Sequence, residues 1–457
     1  MRRSVFRLLA AASLLAAASF GHAATRPHYG GTLRMEMREA PTSFAPPQSA
    51  RLGATDDRIT LMIFDTLVRL DNNAQPQPSL AISWDHAPDL KRWVFTLRPN
   101  VKLHNGTILQ PATVAQSLQV SNPGWKVSAL ADTVVLESDV VVPDMPAEMA
   151  RAANAIVAKG SNNVPLGTGP FRVTEWQGGT HAALQAFDGY WGGRPFLDAI
   201  GIKMGRALRD QLVDFETGKA DLIESSIDQV RRLTQENRKV LVSAPDELIA
   251  IDFSSTTPAA VRRAISLSID RPAINAVLLQ RLGEPTGALL PQWLTGYAFL
   301  FPVFPDLDRA RQFRSEMPGS VTLAFDANDA LLRSIAERIA LDARQAGIPL
   351  QSAPDHSADA IAATMHLIRV RMQSSNAVTA LAGFADVLDP ALLPRIRTSN
   401  GAEQLYDSEK SLLESSRLVP VVYVPDAHLL SPSIRNWTET RVGAWCLENV
   451  WLEAGKP

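Results

Sequence analysis

One stretch near the middle of the chain restricts the fold more than any other: Val164-Pro-Leu-Gly-Thr-Gly-Pro-Phe171-Arg-Val-Thr-Glu-Trp176, with Asp188-Gly-Tyr-Trp-Gly-Gly-Arg-Pro-Phe-Leu-Asp198 close behind it. Gly167, Gly169 and Pro170 spell a turn, because glycine enters positive φ freely and proline fixes the exit direction. After it, Phe171, Val173 and Glu175 alternate with Arg172, Thr174 and Trp176, the period of a strand packed on one side. A second turn, Gly192-Gly193-Arg194-Pro195, precedes another strand over 199–204. By composition alone the stretch is a Gly/Pro-rich pair of hairpins.

The rest of the chain alternates strand and helix signals. Gly30-Gly31-Thr-Leu-Arg-Met-Glu-Met37 predicts a strand with Leu33, Met35 and Met37 inward and Thr32, Arg34 and Glu36 outward. Residues 59–70 have helical spacing and stop at the turn Asp71-Asn72-Asn73. Trp93, Phe95 and Leu97 alternate with Val94, Thr96 and Arg98 as a strand, Asn105-Gly106 marks a turn, and Pro111 opens a helix over 112–118. Short strands are expected at 134–137 and 140–142, and a helix at 145–158. Helices follow over 208–218, ended by Gly218, and over 228–236. An apolar strand covers 248–253. Pro258 starts a helix through 269, and Asp270 caps the next, to about 282. Strand 321–325, helix 331–345 and strand 348–351 form a unit that implies a parallel sheet with a right-handed crossover. A run at 361–370 is apolar and of either type, 406–415 is helical, and 419–425 is a strand with proline at its ends.

Length and charge narrow the class. A chain of 457 residues has room for two or three domains, and 46% apolar with 20% charged residues is ordinary for a soluble globular protein. The formal charge of -2, without a Lys/Arg run beyond the N-terminus, argues against a nucleic-acid partner. Arg2, Arg3 and Arg7, the apolar residues 8–20 and Gly21-His22-Ala23 have the parts of a cleavable signal peptide, and the apolar run is too short to span a bilayer. Cys446 is the single cysteine, so no internal disulfide forms and no cysteine near the cleavage point carries a lipid. A periplasmic, unanchored monomer is expected.

Several unrelated motifs in one order resemble the extracellular solute-binding proteins of family 5, the peptide, dipeptide and nickel receptors of ABC importers. They are Gly30-Gly-Thr-Leu33, Leu80-Ala-Ile-Ser-Trp84, the run from Phe95-Thr-Leu-Arg98 to His104-Asn-Gly-Thr107, the central stretch, Asp221-Leu-Ile-Glu224, Val261-Arg-Arg-Ala-Ile-Ser-Leu-Ser-Ile-Asp-Arg271 and Gly287-Ala-Leu-Leu-Pro291. The resemblance implies an α/β, two-lobed periplasmic binding protein fold (type II, cluster C-like) with mixed sheets and a reduced extra subdomain. Its divisions would be the signal 1–23, lobe I over 24–250 with the subdomain at about 50–163, lobe II over 251–425, and a return to lobe I over 426–457. It also implies capture of a small solute, a peptide above all, by hinge closure, and delivery to an ABC permease in the inner membrane. Ala382-Gly383-Phe384-Ala385-Asp386-Val-Leu-Asp-Pro390 resembles the family's segment whose aspartate pairs with a ligand ammonium. Asp386 is thus the expected ligand partner, flanked by Phe384 and Gly383.

Catalytic signals are missing. No G-x-S-x-G elbow, P-loop or H-E-x-x-H is present, and one cysteine rules out C-x-x-C. No cofactor is implied. His104, His356, His366 and His428 have no metal-ligand spacing, so no metal site is expected. Two other classes remain: a non-transport sensor or chaperone-like binding module on the same fold, and a periplasmic enzyme.

Overall fold

The computed structural model describes residues 26–46, 57–160, 164–316, 319–358, 360, 363–372, 374–440 and 445–453. The signal segment lies outside them. Among the described residues one mixed sheet carries the architecture, with strands β1 (Thr32–Glu36), β2 (Phe171–Gln177), β3 (His181–Ala186), β4 (Ala199–Lys203), β5 (Leu222–Glu224), β6 (Lys239–Phe253), β7 (Val321–Phe325), β8 (Leu350–Pro354), β9 (Met365–Arg371) and β10 (Leu418–Leu430). Their spatial order is β2-β3-β4-β1-β5-β10-β6-β9-β7-β8. β1 pairs in parallel with β4 and β5, and β7 pairs in parallel with β8 and β9. The pairs made by β6 and β10 are antiparallel.

β6 and β10 run through both halves of the molecule. Near their ends Lys239 and Val240 pair with Leu430 and Leu429, and further on Leu248 and Ile249 pair with Tyr423 and Val422. The register shifts between Val242 and Pro245 and again between Pro245 and Glu247. Such bulges bend a strand and break its ladder. The bend therefore falls where the chain passes from one half to the other. Both crossing strands are longer than the 248–253 and 419–425 read from apolar runs.

Each half has its own apolar interior. In the first, Leu33, Met35 and Met37 of the β1 segment pack with Ile59 and Ile63 of helix α1 (Asp57–Ile63) and with Phe171, Ile200 and Trp445. Beside it a four-stranded antiparallel sheet (Ala81–His86, Arg92–Leu97, Thr133–Glu137, Lys126–Leu130) buries Trp93, Phe95 and Leu97 under helix α2 (Pro111–Ser121), as their alternation requires. In the second half, Ile249, Ile251 and Phe253 pack with Ile335 and Ile339 of α3 (Ala330–Gln345). Asp270 caps the helix Arg271–Leu278 by accepting from the amide of Ala273 at 3.0 Å.

The central stretch has a different physical basis from the one its glycines suggested. Neither Gly167 nor Gly169 adopts positive φ. They are small because the backbone of α1 lies against them: a Cβ on Gly167 would sit 1.9 Å from the carbonyl oxygen of Ile63, and one on Gly169 2.6 Å from its carbonyl carbon. Buried Asp65 then fastens both turns, accepting from Thr168 Oγ1 at 2.8 Å and from Trp191 Nε1 at 2.9 Å.

Five local readings need correction. A bulge between Val173 and Glu175 changes the facing of β2, so Trp176 turns to the core and Glu175 to solvent. The helix expected over 59–70 ends at Ile63, and Val68–Leu70 is a strand, because Leu67 and Val68 are drawn into the small sheet's core. The helix expected over 145–158 is one turn, Met145–Glu148, followed by the 3-10 turn Ala152–Asn154, and 140–142 is not a strand. Glu36 is buried, not outward, held by Lys203 Nζ at 2.8 Å.

Candidate functional site

Charged residues gather where the two halves meet. Arg38 follows β1, Glu224 ends β5 and Arg58 lies on α1; these belong to the first half. Asp329 precedes α3, and Arg369 and Arg371 end β9 in the second. Glu247 and Asp426 sit beside the bends of the crossing strands β6 and β10.

These eight side chains close a ring of alternating sign. Arg38 reaches Glu224 at 3.3 Å and Asp329 at 2.7 Å. Arg369 continues from Asp329 at 2.7 Å to Glu247. Arg371 spans from Glu247 at 3.4 Å to Asp426 at 2.6 Å. Arg58 completes the circuit, 3.5 Å from Asp426 and 3.8 Å from Glu224. Glu39 and Asp246 flank it, 3.7 Å from Arg58 and 3.5 Å from Arg371.

Burial makes these charges interdependent, since they interact in a medium less polar than water. Burial alone would push Asp329, Glu224 and Asp426 up. The arginines outweigh it and hold all three below the usual carboxylate range. Asp246, fully buried and next to Asp426, goes the other way and is raised well above that range, only partly offset by Arg371. Burial also lowers His428 to about 4, so its imidazole is neutral at pH 7.

A cavity of about 340 Å³ opens on this ring. Arg38 and Glu224 line it from the first half, Asp329, Leu331 and Arg369 from the second, and Val424 to Ala427 from β10. Its size suits a small solute, at the lower end of ligand sites. Ser225 and Ser226 add hydroxyls to the wall, and Val277, Leu278 and Leu331 add apolar surface. A polar solute with an apolar portion is what such a wall can hold.

Behind the ring stands an aromatic group. The His428 ring lies 6.4 Å from that of Trp437 and 5.6 Å from that of Trp445, and the two indoles are 5.6 Å apart. The guanidinium of Arg58 lies over Trp445, 4.6 Å from the ring centre.

The residues expected to hold the ligand are placed elsewhere. In the segment 382–390, residues up to Leu388 belong to helix α4 (Ala377–Leu388), and Asp389 caps the short 3-10 turn behind it. Leu381, Phe384 and Ala385 face the second half's other apolar cluster, together with Tyr297 and Leu405. Phe384 is buried, Gly383 is half-buried, and Asp386 is exposed on the last turn of the helix. None of the three lines the interlobe cavity. His104 serves the fold: its Nε2 lies 3.1 Å from the carbonyl of Gly169. Among the described residues no group of three or more His, Cys, Asp or Glu is arranged to hold a metal ion.

The ring escaped notice in the sequence, although one trace was there. Arg369 and Arg371 stand at i and i+2 in a largely apolar strand, which puts both on one face.

Comparison with known proteins agrees with this architecture. The sequence profile of the bacterial extracellular solute-binding proteins, family 5 Middle, matches residues 75–358. The nickel-binding periplasmic protein of Escherichia coli K12 is 26% identical over 402 residues, 76% of this chain and 74% of that protein. The dipeptide-binding protein of the same strain is 21% identical over 302 residues, 55% of this chain and 56% of that protein. Among solved structures, Haemophilus influenzae OppA in complex with the peptide RPPGFSPFR superposes with a TM-score of 0.79 at 15% identity, over 94% of this chain and 100% of that one. Staphylococcus aureus NikA in complex with Ni(L-His)2 gives 0.76 at 18% identity, over 92% and 100%. These likenesses give the two-lobed fold of periplasmic binding proteins, and the family's role is solute binding, not catalysis. Among the described residues no helix is long and apolar enough to cross a membrane. The chain belongs to the bacterial extracellular solute-binding proteins of family 5.

Proposed function

We propose that this protein captures a small peptide in the cavity between its lobes and delivers it to an ABC permease of the inner membrane, after export by the signal segment 1–23. The observation that carries the reading is the cavity itself: about 340 Å³, walled by side chains of both signs and by apolar residues from both halves. A short peptide presents the matching groups, an ammonium, a carboxylate and apolar side chains, in that volume. Closure of the lobes would strengthen each polar contact by excluding water. Similar proteins include a peptide transport periplasmic protein of Salmonella typhimurium and the Escherichia coli dipeptide-binding protein, which favours the same class.

A nickel complex is the second reading, favoured by the 26% identity to the Escherichia coli nickel-binding protein over 402 residues. One experiment separates the two. Protein recovered from the periplasm of its producing cells is denatured, and released solutes are analysed by mass spectrometry, with nickel measured in parallel. Released peptides in near-stoichiometric amount support the first reading. Nickel at one equivalent, without peptide, replaces it with the second.

A further inference from the structure

We infer that the aromatic group behind the ring, His428, Trp437 and Trp445 with Glu439, is the subsite for a cationic amine that has an oxygen acceptor beside it, such as the amino terminus of a peptide. The inference deepens the peptide reading and rests on it only for the identity of the whole ligand.

The first argument is a set of unmatched polar atoms. His428 Nδ1, Trp437 Nε1, Trp445 Nε1 and Glu439 Oε2 are all buried and, among the described residues, make no hydrogen bond. Buried polar groups are nearly always paired, so four orphans on neighbouring side chains mark a place where the protein leaves the partner to something else. They are close together by construction: the three rings are mutual neighbours, and Glu439 bridges to Trp445 in antiparallel fashion, two residues beyond Trp437. His428 itself is fully enclosed, and Trp445 nearly so.

The second argument is the chemistry of those atoms. An indole N–H only donates, so Trp437 and Trp445 call for an acceptor oxygen. An ionised carboxylate only accepts, so Glu439 calls for a donor. A neutral amide or a hydroxyl supplies both functions but no charge. The surrounding charge decides between them. The carboxylates of Glu39, Glu224, Glu247, Asp329 and Asp426 already outnumber the guanidinium groups of Arg38, Arg58, Arg369 and Arg371, before Glu439 is added. Burial and the nearby Asp426 push Glu439 itself up to about 7. A cation restores the balance, and the faces of two indoles and an imidazole are favourable walls for it. Ammonium next to carbonyl oxygen satisfies every orphan at once.

The test uses the full secreted chain and two sets of probes, followed by tryptophan fluorescence and calorimetry. One set is a tryptic casein digest, with and without N-acetylation. The other is putrescine and glucosamine. Binding of the free digest should fall at least about tenfold on acetylation, and by a similar factor in Glu439→Gln, as loss of one charge-assisted contact implies. Trp437→Phe, which removes the N–H donor and some ring surface but keeps an aromatic face, should lose about three- to tenfold. Melting temperatures of both variants confirm that they are folded, and the milder Phe variant keeps the test alive if Gln destabilises. If Glu439→Gln and Trp437→Phe bind the free digest as the wild type does, the subsite is overturned while the peptide reading stands. If the amines bind in a Glu439-dependent way and no peptide does, the subsite stands and the peptide reading falls. If no probe binds in a Glu439-dependent way, the subsite is overturned.

Discussion

Arg38 donates to Asp329 at 2.7 Å across the line where the lobes meet, although 291 residues separate them in the chain. The same Asp329 oxygen accepts from Arg369 at 2.7 Å, and its other oxygen caps α3 through the amides of Leu331 and Leu332. One side chain thus ties a first-lobe strand, a second-lobe strand and a helix start.

Asp329→Asn tests that link. Asparagine caps a helix as well as aspartate does, so the substitution removes charge and little else. Two buried guanidinium groups would lose a shared counter-charge, which costs about 3–5 kcal/mol in comparable buried pairs. The expected outcome is a lower melting temperature and, in the ligand-free protein, a larger radius of gyration by small-angle scattering. Unchanged scattering with lowered stability would restrict Asp329 to a stabilising role. The wild-type link should persist in mild acid. The arginines hold Asp329 below its ordinary range, so its stabilising contribution is complete above about pH 4 and fades only as pH falls through the depressed value.

Glu409 titrates in the opposite sense. Its carboxyl is fully buried, accepts from the amides of Leu289 and Leu290 at 2.5 and 2.9 Å, and takes the hydroxyl of Tyr297 at 2.7 Å. Burial, only partly opposed by those donors, pushes it from 4.5 up to about 7. The folded state then holds a proton that the unfolded chain has already released. Stability from this group is complete below about pH 4.5 and is lost as pH rises towards 7. Glu409→Gln keeps the shape and the acceptor oxygen. Chemical denaturation between pH 4.5 and 7.5 should show a flatter pH dependence in the variant, by at most roughly 1.4 kcal/mol per unit. Parallel curves for the two proteins would contradict the assignment.

Asp386→Asn should be nearly silent. The side chain is exposed at the end of α4 and away from the interlobe cavity. Stability should change by less than about 0.5 kcal/mol. Affinity for the digest probe, measured by calorimetry, should stay within about threefold. A loss of about thirtyfold or more would return the ligand-pairing role to this residue.

What could be read from the sequence was what local period and turn chemistry encode. The alternation of Trp93, Phe95 and Leu97, the Asp270 cap and the strand–helix–strand unit at 321–354 each depend on neighbours a few positions apart. The ring of charges does not. Its members come from seven separate segments, and charge pairing across such distances leaves no period to detect. At 377–388 two signals compete: Leu381, Phe384, Ala385 and Leu388 have the spacing of a buried helical face, while Asp389 and Pro390 carry turn chemistry. The helical spacing prevailed because Phe384 and its neighbours have a core to fill. Trp176 went astray for a different reason, since a single bulge inverts the facing of everything after it.

The glycines of the central stretch separate two kinds of constraint by mutation. Gly193 has φ of +100° and open space where a Cβ would be, so Gly193→Ala suffers only backbone strain, about 1–2 kcal/mol. Gly167 has no such φ, but a Cβ there would meet the Ile63 carbonyl oxygen at 1.9 Å, far inside contact distance. A carbonyl oxygen cannot rotate away as a side-chain tip can, and the amide of Gly169 donates to that same oxygen at 3.0 Å. Gly167→Ala must therefore push α1 from the turn, loosening the seat of Asp65 just past the helix and of Arg58 on it. Overpacking of this kind costs about 1–3 kcal/mol, and the lost hydrogen bond adds about 1 more. Denaturant midpoints should rank wild type above Gly193→Ala above Gly167→Ala, with the last variant alone also weakening ligand capture. The reverse order would mean that backbone conformation, not close approach to α1, is what the motif preserves.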